Sequence, residues 1–272
     1  MLEWTILTIV YLIDNLRLSE INNNKSIWRK NNMMLNLGEI KRSESCVVTL
    51  SGGADSTTML YLAKSQFKEV IALSFNYGQR HSEELERAKK IAKDAGVEHH
   101  ILDVSVLNQI VSCALTKQNI DVPHFSEVKD GIEPVTVVRG RNMFFGVLTS
   151  IFASERGIKN IMLGICQTDA SNYIDTRDIF AKGLNVAVNL GIDSDITVYT
   201  PLMWMNKMES TKLAYDLGIL DIIINDTLTC YNGNTSKEGC RECPSCQLRN
   251  KGFKEFGEKY GIDMYETYGI RL

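Results

Sequence analysis

The chain is 272 residues long, 44% apolar, with a formal net charge of −3. That length can bury one substantial core, and that charge balance gives no electrostatic footprint for direct nucleic-acid binding. The first apolar run, Trp4–Ile13, is closed by Asp14 and Arg17 before it reaches the ~20 residues of a membrane span, and it lacks the basic start and small-residue cleavage site of a secretory signal. A cytoplasmic protein with no membrane contact is expected.

In chain order, residues 1–45 read as an extension. An apolar start suits packing or contact between copies, and a polar stretch with Asn22-Asn23-Asn24-Lys25 and Arg29-Lys30-Asn31-Asn32 follows. From Cys46 onward, short apolar runs alternate with helical periodicity. Strands are predicted at Cys46–Leu50, Val70–Phe75, His100–Val104, Asn160–Ile165 and Thr197–Leu202. Helices are predicted at Ser56–Lys64, Asn142–Ser154, Asp178–Asn189 and Asn206–Leu217. Between the second and third strands, Ser82 reads as the N-cap of a further helix. Its Glu83, Glu84 and Glu86 suit the positive end, its Leu85, Ala88, Ile91, Ala92 and Ala95 share one side, and Gly96 stops it.

Repeated β-then-α units imply an α/β fold, a mainly parallel sheet with helices on both faces, with ligands at the carboxyl ends of the strands. From Gly218 the chain turns cysteine-rich and irregular before a helical stretch at Gln247–Tyr260. The expected organisation is therefore an extension over 1–45, an α/β domain over 46–217 and a small C-terminal metal-binding lobe over 218–272.

The strongest local feature is Ser51-Gly52-Gly53-Ala54-Asp55-Ser56, directly after a strand and before a helix. Glycines let backbone approach a phosphate closely, and the helix start supplies unpaired N–H groups and a positive dipole end. Ser51, Ser56 and Thr57 add hydroxyls, while Asp55 is assigned to holding the loop or to magnesium. Neither the Walker motif nor the dinucleotide glycine fingerprint occurs in the chain.

Of the seven cysteines, Cys46, Cys113 and Cys166 are isolated, and Cys230, Cys240, Cys243 and Cys246 are clustered. Four thiolates at this spacing make a closed tetrahedral zinc site, structural because no coordination position stays open. An iron–sulfur cluster is the rival occupant. Zinc is preferred because nothing else in the sequence suggests electron transfer.

The loop resembles the pyrophosphate-binding loop of the N-type ATP pyrophosphatases, which implies an adenine nucleotide alpha hydrolase-like fold. Loop and cysteines together resemble the 7-cyano-7-deazaguanine synthase (QueC) family from about Cys46 onward. The likeness is carried by Ser51–Thr58, Asn76–His81, Gly140-Arg141-Asn142, Thr168-Asp169, Asp175–Asp178, Thr200–Trp204 with Lys207, Thr227–Gly233 and Cys243–Arg249. It implies a homodimeric carbon–nitrogen ligase that adenylates 7-carboxy-7-deazaguanine with magnesium ATP and uses ammonia to form first the amide and then the nitrile, in queuosine biosynthesis.

It implies further that Asp55, Arg141 and Lys207 are catalytic. ATP would be held by Leu50–Thr57, by Phe75, Tyr77, Gly78 and Gln79, and by Gly164. The deazaguanine would be held by Asn142, Thr168, Asp169, Tyr173, Asp175, Arg177 and Asp178. His81 reads as a binding residue or a neighbour of a helix N-terminus.

Two departures stand out. Val138-Arg139 stands where the family has Val-Pro. The segment Asp169–Asp178 lacks the family's Phe, Gly and Pro, having Ala170, Asn172 and Ile174 instead. These changes are expected to reshape the substrate pocket. They keep open a paralogue that makes the same adenylate but passes the acid to another acceptor, such as a protein amine, with the extension as docking element. A non-catalytic ATP- or zinc-dependent module and a tRNA thiolase are weaker alternatives, opposed respectively by the intact motifs and by the weak net charge.

Overall fold

The computed structural model describes residues 44–79, 83–111, 113–116, 120–127, 135–168 and 173–272. The N-terminal extension, Arg80, His81, Ser82 and Asp169–Asn172 lie outside the described residues. Five strands, β1 (Ser45–Thr49), β2 (Glu69–Asn76), β3 (Glu98–Asp103), β4 (Asn160–Met162) and β5 (Thr197–Tyr199), form one sheet in the order β3-β2-β1-β4-β5. Every pairing is parallel, with Val47 opposite Ile71 on one side and Ile161 on the other.

Parallel neighbours need long crossovers, and helices supply them. Helix α1 (Ala54–Gln66) joins β1 to β2, and α2 (Glu83–Ala95) joins β2 to β3. The link to β4 holds the single turn α3 (Leu107–Ile110) and α4 (Arg141–Ser154), and α5 (Asp178–Ile192) joins β4 to β5. The strand order reverses direction between β1 and β4, so right-handed crossovers put α1 and α2 on one face and α4 and α5 on the other.

Burial follows the residue pattern. Ala88, Ile91, Ala92 and Ala95 of α2 are buried at helical spacing, and Gly96 takes φ +66° just past the end, where a side chain would be strained. Helix α1 buries eight of its thirteen residues, because it is covered by the sheet on one side and by later helices on the other. Strand β5 was expected to reach Leu202 and stops at Tyr199. Pro201 has no N–H for a ladder, and Met203 N–H instead donates to the Thr200 carbonyl in a turn. Strand β4 likewise stops short of Ile165, where the chain bends towards α1.

The remaining helices are α6 (Lys207–Asp216), α7 (Leu220–Asn225), α8 (Pro244–Tyr260) and α9 (Met264–Tyr268). They share a core of Ala214, Ile219, Leu220, Ile223, Ile224, Phe253, Phe256, Met264 and Ile270. Helix α8 begins three residues earlier than its expected start at Gln247, with Pro244 in the first turn, where its missing N–H costs nothing.

Candidate active site

A cavity of about 650 Å³ opens at the carboxyl ends of β1, β2 and β4, with the loops after these three strands in its wall. It lies at the point where the strand order reverses, which is where open parallel sheets bind ligands.

The loop after β1 is built to leave donors unspent. Gly53 is the N-cap of α1 and has no side chain to cap it, so the first N–H groups of the helix face the cavity without a side-chain acceptor. Ser51 and Ser56 tie the loop together, with hydroxyls 3.0 Å apart and Ser51 N–H donating to Ser56 Oγ at 3.1 Å. Both line the cavity. Thr57 is fully buried instead, its hydroxyl donating to the Gly53 carbonyl at 2.8 Å, so it braces the turn. Gly52 has φ +85°, and a Cβ there would stand 2.3 Å from the Glu84 carbonyl oxygen of α2. Gly164, in the loop after β4, approaches from the other side, and a Cβ there would be 3.2 Å from the Ser56 backbone nitrogen.

The cationic wall comes from two helix starts. Lys207 is the first residue of α6, whose register is fixed by a capping box between Asn206 and Glu209. Its ammonium meets Asp55 at 2.8 Å, with both side chains half-buried. Arg141 opens α4 and is half-buried among Tyr77, Glu84, Tyr173 and Tyr231. Burial works against its charge, but Tyr77, Tyr173, Tyr231 and Asp175 outweigh that, and the guanidinium keeps its proton more firmly than usual. Tyr173 and Thr136 share a hydroxyl contact at 2.7 Å, with Tyr231 at 3.5 Å from Tyr173. Phe75 stacks on Phe145 with centroids 4.3 Å apart, giving a flat apolar side to the same cavity.

The residues expected to hold ATP fall close together. Leu50, Ser51, Gly53, Ala54, Asp55, Ser56, Phe75, Tyr77, Gln79 and Gly164 all line the cavity. Gly78 sits behind its wall, where Asn108 Nδ2 donates to the Gly78 carbonyl. The residues expected to hold the deazaguanine divide. Asn142 and Tyr173 line the cavity, whereas Thr168, Asp175, Arg177 and Asp178 do not. Asp175 accepts from Asn142 N–H at 2.9 Å and so caps α4. Asp178 pairs with Lys182 at 2.8 Å, Thr168 donates to the Met205 carbonyl, and Arg177 is exposed at the start of α5.

The departures expected to reshape the pocket fall elsewhere where they can be placed. Ile174 is 66% exposed. Arg139 is exposed too, and neither residue lines the cavity.

Several lining residues had no distinct signal in the sequence. Glu84 reads only as a helix-start acid, Thr136 as a loop hydroxyl and Phe145 as part of an apolar helix face. Thr229 lies within a motif, but nothing in the sequence marks its hydroxyl. That Oγ1 is buried at the cavity wall with no hydrogen-bond partner among the described residues.

The four clustered cysteines come together with their sulfur atoms all within 4.8 Å of one another, and Cys240 and Cys246 Sγ are 4.0 Å apart. A tetrahedral zinc with bonds of ~2.3 Å needs sulfurs about 3.8 Å apart, so the set fits a metal ion. Hydrogen bonds from Cys243 and Cys246 push the Cys230 thiol far below its ordinary range, and the bond with Cys230, joined by burial, pushes Cys243 up to about 11. The cluster thus already favours one thiolate. Backbone N–H groups of Glu242 and Cys243 aim at Cys240 Sγ at 3.4 and 3.3 Å, as a charged sulfur requires.

Glycines and a bare helix start beside a lysine make a site suited to an anion such as a phosphate. The fold and cavity are those of a nucleotide-binding α/β protein with a separate four-thiolate metal centre. Comparison with known proteins narrows this. The chain belongs to the QueC family, whose model, described as queuosine biosynthesis protein QueC, matches residues 45–257.

The chain is 50% identical over 217 residues to a 7-cyano-7-deazaguanine synthase of Clostridium botulinum (strain ATCC 19397 / Type A), covering 80% of this chain and 98% of that protein. Similar enzymes of Clostridium acetobutylicum and Bacillus subtilis (strain 168) are 51% and 49% identical. The first match covers 80% of this chain and 96% of its relative, the second 79% and 96%.

Replacing Gly52 tests the loop. In Gly52→Ala the new methyl meets the α2 backbone, which cannot yield as a side chain could. We expect nucleotide binding to weaken by at least ~100-fold in equilibrium titration, the equivalent of about 2.7 kcal/mol. Unchanged affinity would show that the loop does not hold the phosphates.

Proposed function

We propose that this chain is an ATP-dependent ligase that converts 7-carboxy-7-deazaguanine to 7-cyano-7-deazaguanine. The observation that carries the reading is about 50% identity over nearly the whole length of relatives bearing that name, joined to a cavity of the right chemistry. No observation favours transfer to a protein amine, and the departures that prompted that alternative lie on the surface where they are described.

In the proposed sequence, a carboxylate oxygen attacks the α-phosphorus of magnesium ATP, and pyrophosphate leaves into the Ser51–Ser56 loop. Charge builds on the departing oxygens, and pre-placed N–H groups of α1 with Lys207 and Arg141 oppose it. Asp55 positions Lys207. Ammonia then displaces AMP to give the amide. A second ATP activates the amide oxygen, and loss of AMP leaves the nitrile. Asn142, Thr168, Asp169, Tyr173, Asp175, Arg177 and Asp178 are proposed to surround the deazaguanine, those behind the wall by shaping it. Mass spectrometry after incubation with acid, ammonium, magnesium and ATP should find the nitrile with about two AMP and two pyrophosphate per product, because the acid and then the amide are each activated by one adenylation. AMP with no nitrile would overturn the reading.

We assign the four-cysteine site to structural zinc. Metal analysis should give about one zinc per chain, and Cys246→Ser should lower the melting temperature by roughly 10 °C or more. Iron in place of zinc would overturn the assignment. A cytoplasmic location agrees with the free thiols, since reducing compartments preserve them. Among the described residues no helix is long and apolar enough to cross a membrane.

We further assign the outer face of α5 to contact between two copies. Ile179, Val186 and Leu190 are spaced to share that face and are 57%, 58% and 81% exposed. Leu190→Glu should convert a dimer to a folded monomer in light scattering. A monomeric parent protein would refute the assignment.

A further inference from the structure

We propose that Glu84 is the specificity residue for the purine-like ring of the substrate, accepting hydrogen bonds from its ring N–H and exocyclic amino group. The inference rests on the deazaguanine reading above. A guanine-type edge presents two adjacent donors, and the side chain that answers both at once is a carboxylate.

Among the described residues lining the cavity, the carboxylates are Asp55 and Glu84. Asp55 is engaged by Lys207 at the phosphate loop. Asp175 and Asp178, on which the sequence places this task, lie behind the wall and are occupied with the α4 N-terminus and Lys182. Glu84 alone remains, and among the described residues its carboxylate makes no hydrogen bond or close ion pair.

Its placement suits the role. The backbone of α2 at Glu84 packs on Gly52, which fixes the residue beside the phosphate loop. Among the described residues, the charged and titratable groups facing Glu84 are Arg141 from α4 and Tyr77 from the loop after β2.

Desolvation raises the Glu84 carboxyl to about 7, with Arg141 pulling weakly the other way. A group raised in this way is a carboxylate only above that pH. Recognition of the two donors is therefore full on the alkaline side and fades as pH falls through 7.

The test compares 7-carboxy-7-deazaguanine with its analogue lacking the amino group, using pyrophosphate release by the parent enzyme and by Glu84→Gln. The parent enzyme should prefer the guanine-type acid by a KM ratio of ~10–100, as expected for a hydrogen bond to a charged group. Glu84→Gln should raise KM for that acid by a similar factor, leave kcat within a few-fold, and erase the preference.

A second measurement needs no variant. Between about pH 8 and about pH 6 the KM of the guanine-type acid should rise on the order of tenfold, and that of the analogue, which keeps only the ring N–H, should rise less. An active parent enzyme with no preference overturns the assignment. So does Glu84→Gln with unchanged KM, and so does a loss confined to kcat, which would make Glu84 a proton acceptor for ammonium. A parent enzyme that releases no pyrophosphate with either acid overturns the deazaguanine reading and this inference with it.

Discussion

The cleft depends on backbones meeting at distances that only glycine allows. At Gly52 the phosphate loop touches the α2 backbone, at Gly164 the loop after β4 touches the start of α1, and at Gly252 helix α8 touches the backbone of Lys207, where a Cβ would stand 2.7 Å from the carbonyl carbon. Each contact removes a side chain so that two elements can close on the same small volume. Packed interiors transmit displacement because they have little void to absorb it. The N–H groups of α1 and the backbones that carry Lys207 and Glu84 are thus positioned by main-chain contacts.

The metal centre belongs to the same construction although it holds no reacting atom. Leu228, two residues before Cys230, donates its N–H to the Gly52 carbonyl at 2.9 Å. At the other end of the cluster, Cys243 is the N-cap of α8, and α8 carries Gly252 against Lys207 and Phe253 and Phe256 into the core. The intervening stretch has only a small apolar cluster of its own, made largely of the cysteines and Leu228. Four bonds to one ion would replace the core that so short a segment cannot bury, and the order they would create has two routes to the loop after β1. Arg249, buried beside the sulfurs with a guanidinium N–H on the Lys237 carbonyl at 2.7 Å, offsets part of the negative charge that four thiolates would bring.

Much of this was legible in the residue order. Short apolar runs located all five strands, and the i, i+3, i+4, i+7 spacing of Ala88, Ile91, Ala92 and Ala95 located a helix face. A glycine loop between strand and helix located a wall of the cavity, because these signals act over a few residues. The strand ends were less legible, since Pro201 and the bend at Leu163–Gly164 answer to tertiary contacts. Least legible was the division of labour among acids. Asp175, Asp178 and Glu84 each look like helix-start residues in the sequence. The topology alone shows that Asp175 caps α4 while Glu84 turns into the cavity, because that depends on which loops the sheet brings together.

The same reasoning decides how the unusual residues should be weighed. A substitution alters recognition only if its side chain reaches the ligand volume or moves a backbone that does. Ile174 and Arg139 are exposed and line none of that volume, whereas Tyr173 and Thr176, from the same unusual stretch, do line it. Tyr173 is held from two sides by Thr136 and Tyr231, and Thr176 donates to the Tyr173 carbonyl at 2.9 Å. The wall on this side is therefore set by a hydroxyl network that the altered positions leave in place. Losing a proline at position 174 costs some chain stiffness but no contact with the cavity. Divergence at the exposed Ile174 is compatible with an unchanged pocket, because that side chain lies outside the wall that Tyr173 and Thr176 line.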